Sequence, residues 1–581
     1  MSRHPRPDFE RRTFIELNGE WNFCFDDNTN YQEIDLINGN FDDYKINVPF
    51  PYQCNLNNIN DKSYHSKLWY SKIINIEKDE NKSYLLKLGA VDSFASIYIN
   101  GKHVKDHEGG YSQIDADITN YLVNGENRLV VMAKDDRSTD KPRGKQYWKD
   151  TPDRCWYSET SGMHRTCFLE ITGKTYIKYF SILPNIDKNL IDLDMYLSNN
   201  FNGTLQIRIE YKGKKVKETT VSINNKHAIK EIITLTNEDE IDEISYWSNE
   251  EPNLYDIYFK LIDNKHTLDE VKSYFGLRNI EIKNNRIYLN HKPLYQRLIL
   301  DQGYFKDSLT TPKNEEEIIN DLKIIKQMGF NGVRMHQKCE DPLFYYNADK
   351  IGLLVWLEMP SSYDFNLNSI DRNLNEWKEI VLQNINHPSI ITYVPINESW
   401  GVRKIYNDEK QIRFANTMYE LTKTLDNTRI ISTNDGWEFS CNSDIYGFHQ
   451  YFADADTFIK QYENFETISK FGMFNRPLET INSLDNKPII LSEFGGIAVN
   501  NEDKNTWGYN SDAKNTEDYK DKLTKQVTAV LSLDYLCGYC YTQLTDVMQE
   551  VNGLLKIDRT PKLAIEEYYK IFSRNPNRYK K

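Results

Sequence analysis

Two glutamates, Glu398 and Glu493, have the surroundings expected of residues that transfer protons. Each follows a short apolar run and has an aromatic residue close behind it, Trp400 in one case and Phe494 in the other. In such a setting burial raises the pKa of one carboxyl group, while a nearby cation lowers the pKa of another. The pair therefore predicts acid–base chemistry. The alternative is an ion pair that only holds two loops together.

From about residue 279 onward, short apolar strands alternate with longer helical segments, such as 315–328 and 412–425. Eight strands separated by helices predict a (β/α)8 TIM barrel, and an open doubly wound sheet is the alternative. No glycine-rich phosphate-binding motif follows these strands, which disfavours nucleotide-dependent chemistry. The strand candidates are 294–300, 332–335, 353–357, 390–395, 429–432, 445–448, 488–491 and 536–541.

In a TIM barrel, functional groups lie just beyond the carboxyl ends of the strands. Strands four and seven stand on opposite sides of the ring, so Glu398 and Glu493 are expected to face each other across its mouth. For Glu358 or Asp435 taken alone, a purely structural ion pair is as good an interpretation. The further candidates at strand ends are Asp301, Arg334, His336, Asn397, His449, Tyr451 and Tyr541.

The part of the chain before the predicted barrel is rich in short strands. Residues 1–175 contain alternating runs at 83–88, 95–99 and 127–132, broken by turn signals, which predict an antiparallel β-sandwich. Residues 176–278 repeat the pattern and predict a second, smaller sandwich. The predicted catalytic barrel then occupies residues 279–581.

Composition limits the classes of partner. The net charge of −14 and the pI of about 5.4 give a field that repels nucleic acids and anionic membranes, although a local cationic pocket is still compatible with a uronic-acid substrate. There is no apolar stretch long enough to span a membrane and no secretory signal after the basic start. Eight scattered cysteines suit a reducing compartment. We therefore expect a cytoplasmic protein.

Several motifs, in a fixed order along the chain, resemble those of glycoside hydrolase family two, which includes β-galactosidases, β-glucuronidases and β-mannosidases. The resemblance implies an N-terminal jelly-roll, an immunoglobulin-like sandwich and a catalytic TIM barrel, in agreement with the pattern of strands. The matching motifs are Leu17-Asn18-Gly19-Glu20-Trp21, Gly89-Ala90-Val91-Asp92, Ser161-Gly162-Met163, Asn331-Gly332-Val333-Arg334-Met335-His336, Asn397-Glu398-Ser399-Trp400-Gly401 and Ser492-Glu493-Phe494-Gly495.

The resemblance implies a retaining mechanism. Glu493 would attack the anomeric carbon, and Glu398 would first protonate the leaving oxygen and then deprotonate the incoming water. Arg334 and Tyr451 would keep Glu493 ionised and oriented, and Asn397 would bind the 2-hydroxyl group of the sugar. The remaining expected substrate contacts are His336, Asp301, His449, Trp400, Tyr541 and Trp507.

Two of these aromatic contacts have an alternative interpretation. Tyr541 is expected to form the floor under the sugar ring, but plain packing in the barrel core fits it nearly as well. Trp507 lies in a polar run, 500–518, that is either a loop lining the pocket or a disordered tip.

The sugar is less well defined than the mechanism. Relatives that act on glucuronides carry Asn-x-Lys soon after the eighth strand, and residues 546–554 contain no such motif, although Lys338, Arg403 or Lys404 could supply a charge from other loops. The Glu-x-His motif that binds magnesium in the large β-galactosidases is also absent after Glu358, so no metal or other cofactor is predicted. The leading expectation is an exo-β-galactosidase, with β-glucuronidase or another β-glycosidase as the alternative.

Other classes of protein fit the sequence less well. A non-catalytic carbohydrate-binding protein would not need both glutamates, and a serine protease or esterase would need a G-x-S-x-G motif, which the sequence does not have. The expected partner is a glycoside or other carbohydrate, with no nucleic acid and no membrane. Assembly into a homo-oligomer stays open.

Overall fold

The computed structural model describes residues 3–27, 31–59, 61–235, 244–264, 266–463, 487–499, 505–510 and 512–579. It has the predicted architecture, in which a jelly-roll sandwich, an immunoglobulin-like sandwich and a TIM barrel follow one another along the chain. The fold class predicted from the sequence is therefore confirmed. None of the described helices is long and apolar enough to cross a bilayer.

The N-terminal domain packs a four-stranded sheet, ordered β10-β6-β13-β2, against a six-stranded sheet, ordered β4-β3-β5-β11-β8-β9. Alternating side chains of the two sheets fill the space between them, and Trp21 is 1% exposed there. The elements are β1 (Glu10–Arg11), β2 (Phe14–Glu16), β3 (Gly19–Phe25), α1 (Glu33–Ile37), β4 (Tyr44–Val48), β5 (Lys67–Ile76), β6 (Lys82–Leu88), β7 (Val91–Asp92), β8 (Phe94–Ile99), β9 (Lys102–Glu108), β10 (Ile114–Asp117), β11 (Gly125–Lys134), β12 (Gly162–Met163) and β13 (Cys167–Gly173).

The middle domain is built around one long hairpin. Its strands are β14 (Ile177–Asn185), β15 (Leu190–Tyr211), β16 (Lys214–Thr234), β17 (Tyr255–Asp263) and β18 (His266–Phe275). The first half of β15 pairs with β14 and the second half with β17, and the register shifts between Tyr196 and Phe201. This irregularity lets the hairpin bend and contribute to both layers of the sandwich. Strand β1 joins the edge at β18 and ties the chain start to this domain.

The barrel strands run parallel in the order β27-β25-β24-β23-β22-β31-β30-β29, and a bridge between Gly436 and Phe448 closes the ring. A small antiparallel sheet covers its lower end. The strands are β19 (Ile280–Lys283), β20 (Arg286–Leu289) and β21 (Lys292–Pro293) in that sheet, then β22 (Gln296–Asp301), β23 (Gly332–Met335), β24 (Leu354–Glu358), β25 (Ile390–Val394), β26 (Ile396–Asn397), β27 (Ile430–Ile431), β28 (Asn434–Asp435), β29 (Tyr446–His449), β30 (Ile489–Gly495) and β31 (Leu536–Thr542).

The described barrel helices surround these strands. They are α2 (Glu315–Gln327), α3 (Pro342–Ile351), α4 (Leu367–Asn384), α5 (Glu409–Leu425), α6 (Ala455–Tyr462), α7 (Thr516–Ser532) and α8 (Ile565–Phe572). An Asn or Asp side chain caps the first turn of each from α2 to α7, as at Asn314 and Asn515, and satisfies amides that the helix leaves unpaired. The helices thus start at defined residues, which fixes where the loops at the mouth begin.

Candidate active site

The structure brings Glu398 and Glu493 together at the mouth of the barrel. Glu398 directly follows β26, and Glu493 lies within β30. One carboxylate oxygen of each and a ring nitrogen of His449 all lie within 4.8 Å of one another. Carboxyl groups about 5–5.5 Å apart are typical of retaining glycosidases, whereas inverting enzymes need about 6.5–9.5 Å to leave room for a water molecule. The spacing therefore suits a direct attack by one carboxylate.

Glu493 is held by two donors. Arg334 Nη1 lies 3.0 Å from Glu493 Oε1, and the Tyr451 hydroxyl donates to Oε2 at 2.6 Å. Tyr451 is itself fixed by stacking on Tyr509, with ring centroids 4.0 Å apart. The structure thus places Arg334 and Tyr451 at Glu493, the carboxylate to which the sequence analysis assigned them.

Arg334 also organises the surrounding acids. It is fully buried, and its Nε donates to Glu358 Oε2 at 2.7 Å while its Nη1 lies 3.2 Å from Asp435 Oδ2. Burial raises the pKa of Glu358 to about 7, although Arg334 opposes that shift. For Asp435 burial also acts to raise the pKa, but Arg334 and a hydrogen bond to His449 outweigh it, and the pKa is lowered. One guanidinium thus contacts three carboxylates, those of Glu358, Asp435 and Glu493.

Glu398 is paired with His449. Their atoms Oε1 and Nδ1 are 2.8 Å apart, and Trp400 Nε1 donates to Oε2 at 3.3 Å. Burial would raise the pKa of Glu398, but the hydrogen bond and the charge of His449 lower it below its usual value. The sequence favoured burial and a raised pKa for one member of the pair. At Glu398 the imidazole, which comes from a strand end 51 residues away, reverses that direction.

His449 is in turn held between two carboxylates. Its Nε2 lies 2.9 Å from Asp435 Oδ2, on the other side of the ring from Glu398. Burial acts to lower the pKa of His449, but Glu493, Asp435 and Glu398 together raise it to about 10. The imidazole is therefore protonated at neutral pH, and it carries a proton next to Glu398 Oε1. This role differs from the direct substrate contact predicted for His449.

The backbone at Glu398 is strained. Glu398 and Ser399 have φ of 52° and 56°, in the left-handed region that non-glycine residues rarely occupy. The Glu398 amide donates to Asp435 O at 2.7 Å, and the Ser399 hydroxyl donates to Glu438 Oε2 at 2.7 Å. These bonds hold a conformation that aims the Glu398 carboxylate at Glu493.

The other predicted polar contacts differ in how close they lie to the two glutamates. Asn397 accepts a hydrogen bond from Arg334 at its side-chain oxygen, while its buried Nδ2 has no protein partner. His336 Nδ1 lies 4.0 Å from Glu493 Oε1, so it reaches the site. Asp301 accepts from the amide of Gly303 at 2.9 Å, and burial raises its pKa to about 6. Among the described residues no hydrogen bond joins Asp301 to either glutamate.

Of the two aromatic contacts with an alternative interpretation, Tyr541 is not at the mouth. Its ring packs between the strands and the helices, against Phe494 and Phe572, because its position in β31 faces outward from the barrel. The prediction that Tyr541 forms a floor for the sugar is wrong, and the packing alternative accounts for it. Trp507 contacts the N-terminal domain: its Nε1 donates to the carbonyl of Arg154 at 3.2 Å. Part of the surrounding run, 500–504 and 511, lies outside the described residues.

The N-terminal domain supplies a wall that the sequence did not predict. The connection between β11 and β12, residues 135–161, which we call the mouth segment, extends onto the barrel. Trp156 Nε1 donates to the Tyr363 hydroxyl at 2.7 Å, and the Trp156 ring meets Trp400 edge-on, with ring centroids 5.2 Å apart. The Tyr157 hydroxyl donates to Glu550 Oε2 at 2.8 Å. A cluster of aromatic residues at 147–148 and 156–157 was the available signal.

The group formed by Glu398, His449 and Glu493 also has the spacing of a metal site. Its oxygens, however, already pair with Arg334 and Tyr451 on one side, and the imidazole is held at both nitrogens by carboxylates. Magnesium prefers several oxygen ligands in octahedral geometry, which this set does not offer. The arrangement fits a pair of carboxylates and a proton donor better than a metal centre.

A TIM barrel whose mouth holds two facing carboxylates, one bound by a guanidinium and a hydroxyl and the other by an imidazole, has the site expected of a glycoside hydrolase. The family comparison gives the particular family. Residues 280–575 match the TIM barrel domain of glycosyl hydrolases family 2, residues 14–171 match the sugar binding domain of that family, and residues 175–278 match the domain between them. The chain belongs to glycosyl hydrolases family 2.

Named relatives carry two different activities. The chain is 26% identical over 518 residues to a β-galactosidase from Thermoanaerobacterium thermosulfurigenes. The matched region covers 84% of this chain and 65% of that protein. The chain is 22% identical over 535 residues to a β-glucuronidase from Streptococcus agalactiae, covering 83% and 82%. Against several curated relatives the chain spans only 54–65% of their length.

The solved structure of a β-D-glucuronidase from Dictyoglomus thermophilum superposes with a TM-score of 0.79 and covers 98% of both chains at 21% identity. At that identity the likeness shows the shared fold.

Proposed function

We propose that this protein is a retaining exo-β-glycosidase, with Glu493 as the nucleophile and Glu398 as the general acid and base. The observation that carries the proposal is the approach of the two carboxylates to within 4.8 Å across the barrel mouth. Both acids sit where parallel barrel strands end, which is where such barrels place their chemistry. Family membership supports the same reaction class.

In the first step Glu493 attacks the anomeric carbon. Arg334 and Tyr451 each donate to one of its oxygens and fix the carboxylate, so that one lone pair faces the sugar. Glu398 protonates the departing oxygen at the same time. The bond from the anomeric carbon to the aglycone breaks as the bond to Glu493 forms, and a covalent glycosyl-enzyme results.

Glu398 enters this step in its protonated form and is held in place by His449, whose Nδ1 lies 2.8 Å from Glu398 Oε1. In the second step Glu398 takes a proton from water, which attacks the anomeric carbon and releases the sugar with retained configuration. His449 thus acts as a positioning residue for the carboxyl group that exchanges the proton.

Binding groups line the same space. The buried Nδ2 of Asn397 has no protein partner and is free to donate to the 2-hydroxyl group of the sugar, a contact that strengthens in the transition state. Trp400, which donates to Glu398, forms an aromatic wall with Trp156. This wall from a second domain narrows the mouth, which favours removal of a terminal sugar over cleavage within a chain.

The identity of the sugar is a choice between β-galactoside and β-uronide. The absence of Asn-x-Lys in residues 546–554 favours a galactoside, while the names of relatives support either. A panel of aryl glycosides, namely β-galactoside, β-glucuronide, β-galacturonide, β-glucoside, β-mannoside, β-xyloside and α-arabinopyranoside, assayed with and without a chelator, separates the alternatives and tests for a metal.

Substitution of the two acids tests the mechanism. Glu493→Gln should lower kcat by at least about a thousandfold without loss of folding, because the nucleophile is gone and its shape is kept. Glu398→Ala should spare substrates with very good leaving groups and lose most activity on poor ones, since only the latter need a proton. Azide should rescue Glu398→Ala and give the β-glycosyl azide.

The control is Glu409→Gln, an exposed change on α5 that should have no effect. Full activity of Glu493→Gln would refute the assignment of the nucleophile, and absence of activity in the wild type would leave the carbohydrate-binding alternative. An inverted product, seen by proton NMR during turnover, would refute the retaining mechanism.

A further inference from the structure

The mouth segment carries a lysine into the site. At Arg143 and Gly144 its backbone amides donate to the carbonyl of Ser361 in the loop after β24, at 2.9 and 3.1 Å. Gly144 has a φ of 60°, and a Cβ there would meet the carbonyl oxygen of Gln337 at 2.2 Å. The backbone therefore lies directly on the barrel, in a conformation that glycine permits. The next residue, Lys145, is fixed by its carbonyl, which accepts from the Tyr157 amide at 2.8 Å.

Lys145 differs from the other buried lysines. Four lysines are buried in the part of the chain that the structure describes: Lys87, Lys141, Lys145 and Lys338. Lys87 pairs with Asp115 at 2.8 Å, Lys141 pairs with Asp135 at 2.6 Å, and Lys338 pairs with Glu340. Lys145 is 9% exposed and has no ion-pair partner among the described residues. Burying an ammonium group without a counter-ion costs free energy of folding, so we expect Lys145 to have a functional role.

The groups within electrostatic reach of Lys145 include residues of the candidate active site. Burial acts to lower the pKa of Lys145, but the Cys155 thiol and the charges of Glu550 and Glu398 raise it, so the ammonium is charged. In turn its charge contributes to lowering the pKa of His336. Lys145 thus lies within electrostatic reach of residues on both sides of the mouth.

Glu550 is within electrostatic reach of Lys145 but forms no ion pair with it in the described part of the chain. Its carboxylate oxygens are held by other donors, Oε2 by the Tyr157 hydroxyl at 2.8 Å and Oε1 by Asn552 Nδ2 at 3.1 Å. The ammonium therefore remains available to an anion that enters the mouth.

We propose that Lys145 binds an anionic substituent of the terminal sugar, either the carboxylate of a uronic acid or a sulfate ester. The assignment rests on the proposed glycosidase function and specifies its substrate class. It places the specificity group on the N-terminal domain, in a chain whose residues 546–554 lack Asn-x-Lys. Lys338, which the sequence offered for this role, is occupied by Glu340 and by the carbonyls of Gly303 and Thr310.

The test compares charged and neutral sugars with the same leaving group. The substrates are the p-nitrophenyl β-glucuronide, β-galacturonide, β-galactoside, β-glucoside and β-galactoside 6-sulfate. The wild-type protein should prefer one of the anionic substrates over its neutral counterpart by at least tenfold in kcat/KM, and the uronide and sulfate arms identify which anion it is. A wild-type preference for the neutral sugars would overturn the proposal.

The variant Lys145→Met keeps the stem and removes the charge. It should lower kcat/KM for the preferred anionic substrate about 10- to 100-fold more than for the matched neutral one, which is about 1.4–2.8 kcal/mol at 1.4 kcal/mol per tenfold change. Lys145→Arg should restore part of the preference. The control is Lys149→Met, an exposed lysine in the same segment, which should leave the preference unchanged. Circular dichroism and melting temperature check that each variant is folded.

An equal loss on charged and neutral substrates would overturn the proposal, because it would mean that Lys145 acts on Glu398 or on the fold. This outcome is distinct from failure of the proposed function. Without glycosidase activity, no glycoside in the panel would be cleaved, and D-glucuronate, D-galacturonate and D-galactose 6-sulfate would still be tested as ligands by calorimetry. Binding of one of these anions that is lost in Lys145→Met supports the proposal, and absence of binding of all three refutes it.

Discussion

Glu376 gives a quantitative test of how the N-terminal domain docks on the barrel. It lies in α4 and is 1% exposed, and its Oε1 accepts from the amide of Tyr111 in the N-terminal domain at 2.7 Å. Its Oε2 has no hydrogen-bond partner. Burial, reinforced by the charges of Asp92 and Glu379, raises the pKa of Glu376 from 4.5 to about 8. The folded protein therefore holds this interdomain carboxyl protonated at neutral pH.

The sign of the effect on stability follows from linkage. The folded protein binds the proton more tightly than the unfolded chain, so the contribution of Glu376 is fully present below pH 4.5 and is lost as pH rises through about 8. At about 1.4 kcal/mol per pKa unit, the difference corresponds to about 5 kcal/mol above pH 8. Glu376→Gln removes the titration, and a change of this size raises the melting temperature of a protein of this length by roughly 4–8 °C.

Thermal unfolding of wild type and Glu376→Gln at pH 5 and pH 8.5 measures this effect. The variant should melt close to the wild type at pH 5 and clearly above it at pH 8.5. Glu379→Gln is the matched control, because hydrogen bonds from His107 and Ser112 outweigh burial and lower the pKa of Glu379. Stabilisation from a lowered pKa is already present above about pH 4.5, so Glu379→Gln should melt below the wild type by a similar amount at both pH values. If the difference for Glu376→Gln does not grow between the two pH values, the reasoning about the buried interdomain carboxyl is refuted.

Two further predictions concern the proposed chemistry. Tyr451→Phe removes the 2.6 Å hydrogen bond to Glu493 and should lower kcat about 10- to 100-fold with little change in KM, so an unchanged kcat in steady-state assays would contradict the positioning role. Asn397→Ala should cost about 10- to 100-fold in kcat/KM on an aryl glycoside with a 2-hydroxyl group and much less on its 2-deoxy counterpart. Equal losses on the two substrates would show that Asn397 acts through Arg334 alone.

The sequence was sufficient for the barrel and for the placement of the two glutamates at its mouth, because most barrel strands are largely apolar and each acid lies at the end of one. It did not show which side chains of those strands point into the barrel and which point outward to the helices. Strand β31 is buried on both sides, so nothing in its residue pattern shows that Tyr541 points outward to the helices. The pairing of Glu398 with His449 depends on two strand ends far apart in the sequence.

The mouth segment escaped prediction for a similar reason. Its contacts with the barrel join residues more than 200 positions apart, such as Trp156 with Tyr363 and Tyr157 with Glu550. Short-range patterns show turns and strands but do not show which loop of one domain meets which loop of another. Lys145 was therefore not recognisable as a site residue until the docked domains were in view.

The mouth segment also affects how such a site can diversify. The carboxylates that carry the proposed chemistry belong to barrel strands, whereas Lys145 and Trp156 belong to a connection in another domain. Selection can alter the length or the residues of that connection while the strand ends that hold Glu398 and Glu493 stay the same. Exchange of residues 135–161 between homologues is thus a direct route to new substrate preferences on an unchanged catalytic frame.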